Sequence, residues 1–400
     1  MIRHRTAQTI ILSLILLVLG LPVCSMMIFK LFKEQSAVEL GLTSLELAGI
    51  TFNEPKPQFS LNDWSNHSYQ DKFNKWFNHF YGARALFVRL GNQINYSLFS
   101  KSYMYDQSII IGKEKQLYEV GYLRDYCGLT PPTPPFQVEH RIQEMKEIQE
   151  RLGDRGVAFT LLITPSKAAI YPEYIPAAFC DTPRAATRDY TQLLPLLTKY
   201  RLNYVDGHAL TSAAKQRERL PLFCQGGTHW NYLGAFHTAQ PLVEQLGALT
   251  KTPLGELRIQ DMTVDHSPTG SDADLAKLLN LAIPPYDYSV PHPVIMNLQT
   301  RQRLNRATFI GGSFTWTILD ILDRANISDR IDFYYYYKLT LNSYPSKSSR
   351  PVDTGHIDWD HDIFTSQALI LEVNEAAFQM EYLPAFISDI LQHLRSTPLP

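Results

Sequence analysis

The chain has 400 residues, of which 45% are hydrophobic and 19% are charged, and its formal net charge is −2 at pH 7. This length allows one large domain or two smaller ones, and the apolar fraction is ordinary for a globular protein with a sizeable core. Neutralising nucleic-acid phosphates requires clustered cations, whereas Lys and Arg are scattered here, so the composition argues against a nucleic-acid binder.

The first predicted element is an apolar segment near the N-terminus. Residues Thr9–Phe29 carry no charge, are rich in Leu and Ile, and are long enough to span a bilayer as a helix. Arg3 and Arg5 precede this segment and favour a cytoplasmic N-terminus. We interpret residues 1–33 as a cytoplasmic tip and an uncleaved signal anchor of the inner membrane, which would place the rest of the chain in the periplasm. A cleaved signal peptide is the alternative.

Residues 34–105 form a juxtamembrane and helical segment in this interpretation. Apolar residues recur at steps of three and four between Asp71 and Ser100, which predicts an amphipathic helical segment with an interruption near Tyr81-Gly82. The aromatic stripe along this segment is more typical of core packing than of a ligand site.

Residues 106–400 alternate between strand-like and helix-like patterns. Continuous apolar strands between helices indicate a parallel sheet that is covered on both faces, as in a doubly wound α/β domain. Ligands of such sheets bind beyond the carboxyl ends of the strands. The strands that this pattern predicts are Val157–Thr164, Leu202–Val205, Ala307–Ile310, Ile331–Lys338 and Ala368–Val373. Ser108–Gly112, earlier in the chain, is predicted as a short buried strand.

Cysteine spacing gives one further expectation. Cys127, Cys180 and Cys224 match no metal-binding motif, so we predict no zinc site. An extracytoplasmic compartment would allow one disulfide and leave one thiol. We predict a Cys180–Cys224 bond, which would tether the loop before His229, and three unpaired buried cysteines are the alternative.

Two short motifs carry the candidate chemistry. His229 lies in the glycine-rich loop Gly226–Asn231 directly before a helix-like segment, where an imidazole can act as a general base. Ser313 follows a predicted strand and two glycines and precedes another helix-like segment, which is typical of a strand-to-helix turn that exposes a nucleophile. Backbone N–H groups at the helix N-terminus would stabilise an oxyanion. Together the motifs predict a Ser–His acyl-transfer site.

The ordered motifs between about residues 70 and 395 resemble the extracytoplasmic alginate O-acetyltransferase family of AlgJ and AlgX. The resemblance implies a permuted SGNH hydrolase-like domain, because His229 precedes Ser313 whereas typical SGNH hydrolases have the reverse order. The segments that carry the resemblance are Phe80–Arg84, Ile109–Glu114, Ile163–Pro176, Asp206, Thr228–Asn231, Asp274-Leu275 and Gly311–Phe314.

Two acidic residues of the family motifs are missing. The family has Asp at the positions of Gly227, in the histidine motif, and Gly312, in the serine motif. The first is the acid that orients the imidazole in the triad. Three interpretations stay open: a Ser–His dyad with a backbone carbonyl as the orienting group, an acid from elsewhere such as Asp206 or the loop His356–Asp362, or a degenerate homologue that binds glycan or a partner without turnover.

The resemblance also implies partners and surroundings for the site. We predict that five residues line it, namely Thr228, Trp230, Gly312, Lys167 and Tyr171. Ser313 would take an acetyl group from a multi-spanning membrane acyltransferase and pass it to a hydroxyl group of an exopolysaccharide, without a metal or a cofactor. A carbohydrate esterase and a non-catalytic scaffold subunit of a secretion complex are the competing functions.

Overall fold

The computed structural model describes residues 2–31, 47–50, 55–80, 84–102, 108–180, 188–298 and 302–396. The chain divides into two compact units, which are Met1–Tyr105 with Ala276–Pro284, and Asp106–Leu275 with Pro285–Pro400. The family-like motif around Tyr81-Gly82-Ala83 lies outside the described residues.

The first unit is helical, with α1 (Ile2–Leu31), α2 (Leu61–Ser65), α3 (Ser68–Phe80) and α4 (Arg84–Phe99). Within the described ranges, no helix combines the length and the apolar character that crossing a bilayer requires, so the predicted signal anchor is not supported. In the same unit, the Asn280 side chain bonds the backbone N–H and carbonyl of Ala48, at 2.7 and 3.1 Å. Asn92 on α4 donates to the Leu279 carbonyl at 2.9 Å, so these bonds tie the segment Ala276–Pro284 to α4 and to the turn at Ala48.

The second unit is built on a mixed sheet of seven strands in the order β10-β9-β8-β7-β11-β3-β4. The five strands from β8 to β4 pair in parallel, as predicted, whereas β9 and β10 are antiparallel additions at one edge. An antiparallel hairpin, β1–β2, and a long antiparallel ribbon, β5–β6, lie outside this sheet. The strands are β1 (Ile109–Ile111), β2 (Leu117–Glu119), β3 (Ala158–Thr164), β4 (Tyr204–Asp206), β5 (Glu256–Asp265), β6 (Val290–Leu298), β7 (Ala307–Gly311), β8 (Ile331–Tyr335), β9 (Thr340–Tyr344), β10 (Ser348–Pro351) and β11 (Ala368–Asn374).

Helices cover both faces of the sheet, which explains why its central strands are apolar throughout. On β11, Leu369, Leu371 and Val373 face one cluster, and Ile370 faces the other. The first cluster is formed with the helices Pro135–Gly153, Asp189–Tyr200 and Tyr382–Ser396, and the second with the helices Tyr232–Thr250 and Thr315–Arg324. The helices of this unit are α5 (Val120–Tyr126), α6 (Pro135–Gly153), α7 (Lys167–Ile170), α8 (Asp189–Tyr200), α9 (Gly207–Lys215), α10 (Tyr232–Thr250), α11 (Asp274–Leu278, whose last three residues are assigned to the first unit), α12 (Thr315–Arg324) and α13 (Tyr382–Ser396).

Two sequence expectations about this unit need correction. The strand predicted over Ile331–Lys338 ends at Tyr335, because Tyr336 and Tyr337 turn the chain with φ of 44° and 62°. The predicted Cys180–Cys224 bond is wrong, because Cys127 and Cys180 form the disulfide, with their Cα atoms 5.5 Å apart. Cys224 is a buried free thiol.

Candidate active site

The loop that carries His229 is fixed from both sides. Asn231 accepts a hydrogen bond from the Gly234 N–H at 2.9 Å and so caps α10, and it also donates to the Pro221 carbonyl at 2.6 Å. Trp230 is fully buried, and its Nε1 donates to the Phe314 carbonyl at 3.1 Å. Trp230 therefore links the histidine loop to the serine loop, and it does not present its ring to solvent.

Lys167 and Tyr171 hydrogen-bond to the backbone of the chain that leads into this loop. Lys167 is fully buried and donates to the carbonyls of Cys224, Gln225 and Gly227 at 2.7 to 3.0 Å. Burial lowers the pKa of Lys167 to about 7. The Tyr171 hydroxyl accepts from the backbone N–H of Leu222 at 3.0 Å. The polar atoms of both predicted site-lining residues are thus engaged with the backbone of the segment Leu222–Gly227, which leads into the histidine loop.

Ser313 lies in the turn between β7 and α12, where two glycines leave room for neighbouring side chains. A Cβ atom at Gly311 would lie 2.6 Å from Oε2 of Glu372, and one at Gly312 would lie 3.0 Å from the Tyr336 ring. The turn places Ser313 beyond the carboxyl end of β7, at the sheet edge where α/β proteins bind ligands.

The structure brings Ser313, His229 and Asp274 together in the second unit. His229 Nε2 lies 2.7 Å from Ser313 Oγ, and His229 Nδ1 lies 2.5 Å from Asp274 Oδ2. Asp274 is itself held, because its Oδ1 accepts from the backbone N–H groups of Thr228 and Leu275 at 2.8 and 2.7 Å. This arrangement has the connectivity of a Ser-His-Asp triad.

Neither acid that the sequence suggested occupies this position. Asp206 accepts hydrogen bonds from the Tyr190 hydroxyl and from the backbone N–H of Ala209 at the start of α9. In the loop His356–Asp362, the two exposed histidines pair with aspartates three residues earlier in the chain. Both suggestions are therefore wrong as the partner of His229.

Asp274 is the residue that sequence reasoning missed as the orienting acid, although Asp274-Leu275 was among the family-like segments. The structure also gives a physical reason for Gly227, because a Cβ atom there would clash with the carbonyl oxygen of Ser271. The segment that delivers Asp274 thus occupies the space that a side chain at position 227 would need.

Two further carboxyl groups surround the Ser–His pair. Thr228 Oγ1 lies 3.5 Å from Oε2 of Glu119, at the limit of a hydrogen bond, and burial raises the pKa of Glu119. Glu372 is fully buried beside the serine turn, and burial raises its pKa as well. The Phe314 ring contacts the His229 ring, with centroids 4.7 Å apart.

In the part of the chain that the structure describes, no group of three or more His, Cys, Asp or Glu residues is placed to hold a metal ion.

Comparison with known proteins finds similarity to AlgX and AlgJ. A family model for the SGNH hydrolase-like domain of the acetyltransferase AlgX matches residues 128–308. The probable alginate O-acetylase AlgJ of Pseudomonas aeruginosa is 26% identical over 271 residues, which are 66% of this chain and 62% of that protein. The chain therefore spans about three fifths of the length of this curated relative.

Solved structures of the same family are also similar. The O-acetyltransferase domain of Pseudomonas putida AlgJ is 19% identical with a TM-score of 0.45, and the match covers 72% of this chain and 99% of that one. Pseudomonas aeruginosa AlgX is 12% identical with a TM-score of 0.43, and the match covers 70% of this chain and 67% of that one. The family-model and sequence matches confirm the resemblance to the AlgJ/AlgX-like family that the motifs indicated.

Proposed function

We propose that this chain is an O-acetyltransferase that uses Ser313, His229 and Asp274 as its catalytic triad. The observation that carries the proposal is the pair of hydrogen bonds that His229 makes, one to Ser313 Oγ at 2.7 Å and one to Asp274 Oδ2 at 2.5 Å. A carboxylate on Nδ1 holds the imidazole in the tautomer whose Nε2 accepts the serine proton. The relatives' names support acetyl transfer as the reaction.

In the first half-reaction, Ser313 Oγ attacks the carbonyl carbon of the acetyl donor while His229 Nε2 takes the hydroxyl proton. The negative charge that develops on the carbonyl oxygen would be stabilised by backbone N–H groups of the serine turn at the N-terminus of α12. When the tetrahedral intermediate collapses, the donor leaves with the proton from His229, and acetyl-Ser313 remains.

In the second half-reaction, a sugar hydroxyl gives its proton to His229 and attacks acetyl-Ser313. Ser313 then leaves and recovers its proton from the imidazole, so the products are an O-acetyl sugar and the free enzyme. The proposal includes an acceptor and a donor. The acceptor is a polysaccharide, and the curated relative is named for alginate. The donor is a multi-spanning membrane acyltransferase. The Cys127–Cys180 disulfide supports an extracytoplasmic location, and anchoring at the inner membrane stays a prediction from the sequence.

The experiment compares the full chain with Ser313→Ala and His229→Ala, using 4-nitrophenyl acetate as the donor. His292→Ala is the control, because its imidazole pairs with Asp265 and with no serine. We expect turnover and an acetylated Ser313 in the wild type and the control, and neither in the two site variants. Equal rates in all four proteins, with no acetylated serine, would contradict the proposal.

The esterase alternative is tested in the same assay by adding oligosaccharide acceptors. A transferase gives an O-acetyl sugar at the expense of free acetate, whereas an esterase gives acetate alone whatever acceptor is added. Alginate oligosaccharides and neutral oligosaccharides are compared, because the name of the relative is the only indication of the polymer.

A further inference from the structure

The side chain of Glu372 contacts the turn that carries Ser313. Glu372 lies on β11 in the centre of the sheet and is 1% exposed. Its Oε2 accepts hydrogen bonds from the Gly312 N–H at 2.6 Å and from Thr315 Oγ1 at 3.2 Å. Its Oε1 accepts from Thr164 Oγ1 at 2.5 Å. One carboxyl group thus connects the neighbouring strand β3, the serine turn and the first residue of α12.

The surroundings of Glu372 are shaped to receive a carboxyl group. A buried carboxyl is costly unless donors compensate for the water that it loses, and three donors do so here. At Gly311, any side chain would meet the Cβ and Oε2 atoms of Glu372 at 2.6 Å, so the glycine leaves space for it. Gly312 has no side-chain polar group, and its backbone N–H is engaged by Glu372 instead.

We propose that Glu372 is a positioning residue for the nucleophile. By holding the Gly312 N–H and the Thr315 hydroxyl, it fixes the two ends of the turn, so that Ser313 Oγ stays within reach of His229 Nε2. It also sets the direction of the backbone N–H groups that face the developing oxyanion. Glu372 acts through the turn and touches no reacting atom. This inference rests on the proposed function, because it assigns a role in the same site.

The test uses two substitutions of Glu372 with a matched pair at Glu375. Glu375 follows β11, is 2% exposed, and accepts from the backbone N–H and the hydroxyl of Ser166. Its Oε2 lies 2.9 Å from Nη2 of Arg188 and 2.6 Å from Nδ1 of His208. Ala and Gln variants of both residues are made in the full chain. We measure kcat and KM for 4-nitrophenyl acetate at a temperature at which thermal scans show every variant folded.

We expect Glu372→Ala to lower kcat by about 10²–10³, the loss typical when an oxyanion contact is disturbed, with KM changed less than twofold. Glu372→Gln is expected to lose only about tenfold or less, because its carbonyl oxygen still accepts from Gly312 while its amide donates to Thr164 Oγ1. The Glu375 variants should melt at lower temperature but keep kcat in the folded protein. If Glu372 only packed the core, the folded Glu372→Gln and Glu372→Ala variants would not differ in kcat in this way.

A wild-type kcat in Glu372→Ala, or a Gln variant as slow as the Ala variant, would overturn the inference. A second readout does not depend on activity, namely the amide proton resonance of Gly312 in NMR spectra of ¹⁵N-labelled protein. A short bond to a carboxylate moves this resonance downfield, and we expect it to return upfield in Glu372→Ala but not in Glu375→Ala. If the wild type is inactive while the resonance moves as expected, the proposed function fails and the positioning of the turn stands. An unmoved resonance overturns the positioning itself.

Discussion

Replacing Asp274 by Asn tests whether this residue is the acid of the triad. The Asn carbonyl oxygen can still accept hydrogen bonds from the Thr228 and Leu275 N–H groups, which Asp274 Oδ1 holds at 2.8 and 2.7 Å. The amide nitrogen then faces His229 Nδ1 and donates to it. His229 must carry its proton on Nε2, where it faces Ser313 and cannot accept the hydroxyl proton. The variant thus keeps the loop in place and reverses the tautomer.

The magnitude follows from this reversal. The same change in serine proteases costs about 10⁴ in kcat, which corresponds to roughly 5 kcal/mol of transition-state stabilisation. We expect a loss of that size for Asp274→Asn in the hydrolysis of 4-nitrophenyl acetate. The melting temperature should change little, since both backbone contacts of the side chain are kept.

Asp206→Asn is the control, because Asp206 caps a helix and bonds a tyrosine hydroxyl without contacting the histidine. Its kcat should stay within a fewfold of the wild type. If Asp274→Asn keeps more than a tenth of the wild-type kcat while Ser313→Ala is inactive, the assignment of Asp274 is refuted. A Ser–His dyad would then be the better description of the site.

The remaining predictions concern the histidine loop and stability. Gly227→Asp restores the family motif, yet it should lower activity in the ester assay and destabilise the fold by about 1–3 kcal/mol in urea titrations, because its Cβ clashes with a backbone carbonyl; wild-type activity would contradict this. Hydrogen bonds from Arg395 hold the pKa of Glu147 at about 2, below its ordinary 4.5. Glu147→Gln should therefore lower the free energy of unfolding by about 1 kcal/mol at pH 7 after solvent screening, and this difference should vanish as the pH falls towards 2. A difference that does not depend on pH would refute this cause. Denatured, unreduced protein should show two free thiols, and Cys127→Ser with Cys180→Ser should lower stability by about 2–4 kcal/mol; four thiols would exclude the bond.

The sequence predicted the parallel centre of the sheet well, and there is a physical reason for it. Strands such as Ala158–Thr164 and Ala368–Asn374 are buried on both faces, so every position is apolar or internally bonded and the pattern is continuous. The ribbon of β5 and β6 was missed, because most of its residues are exposed or half-buried and carry no such pattern. The two antiparallel edge strands were also missed, since β10 is exposed along its length and three of the five residues of β9 are only half-buried.

The candidate nucleophile and base could be found from local motifs, because a few consecutive residues encode the strand-to-helix turn and the capped histidine loop. The acid could not be found in this way. Asp274 lies 45 residues from His229 in the chain, and the tertiary structure alone brings the two side chains together. The family-like pair Asp274-Leu275 marked the segment, but no local feature distinguished it from Asp206.

Both acids that the motifs lack have a counterpart from another element of the fold. Position 227 is closed to a side chain by Ser271, and Asp274 from the same segment provides the carboxylate on His229. Position 312 has no side chain, and the carboxyl group of Glu372 bonds its backbone N–H from the adjacent strand. A triad is defined by where its oxygen and nitrogen atoms meet rather than by which loop delivers them. The missing motif residues are therefore weak evidence for a degenerate homologue. The kinetics of Asp274→Asn are the direct test of whether Asp274 acts as the acid of a working triad.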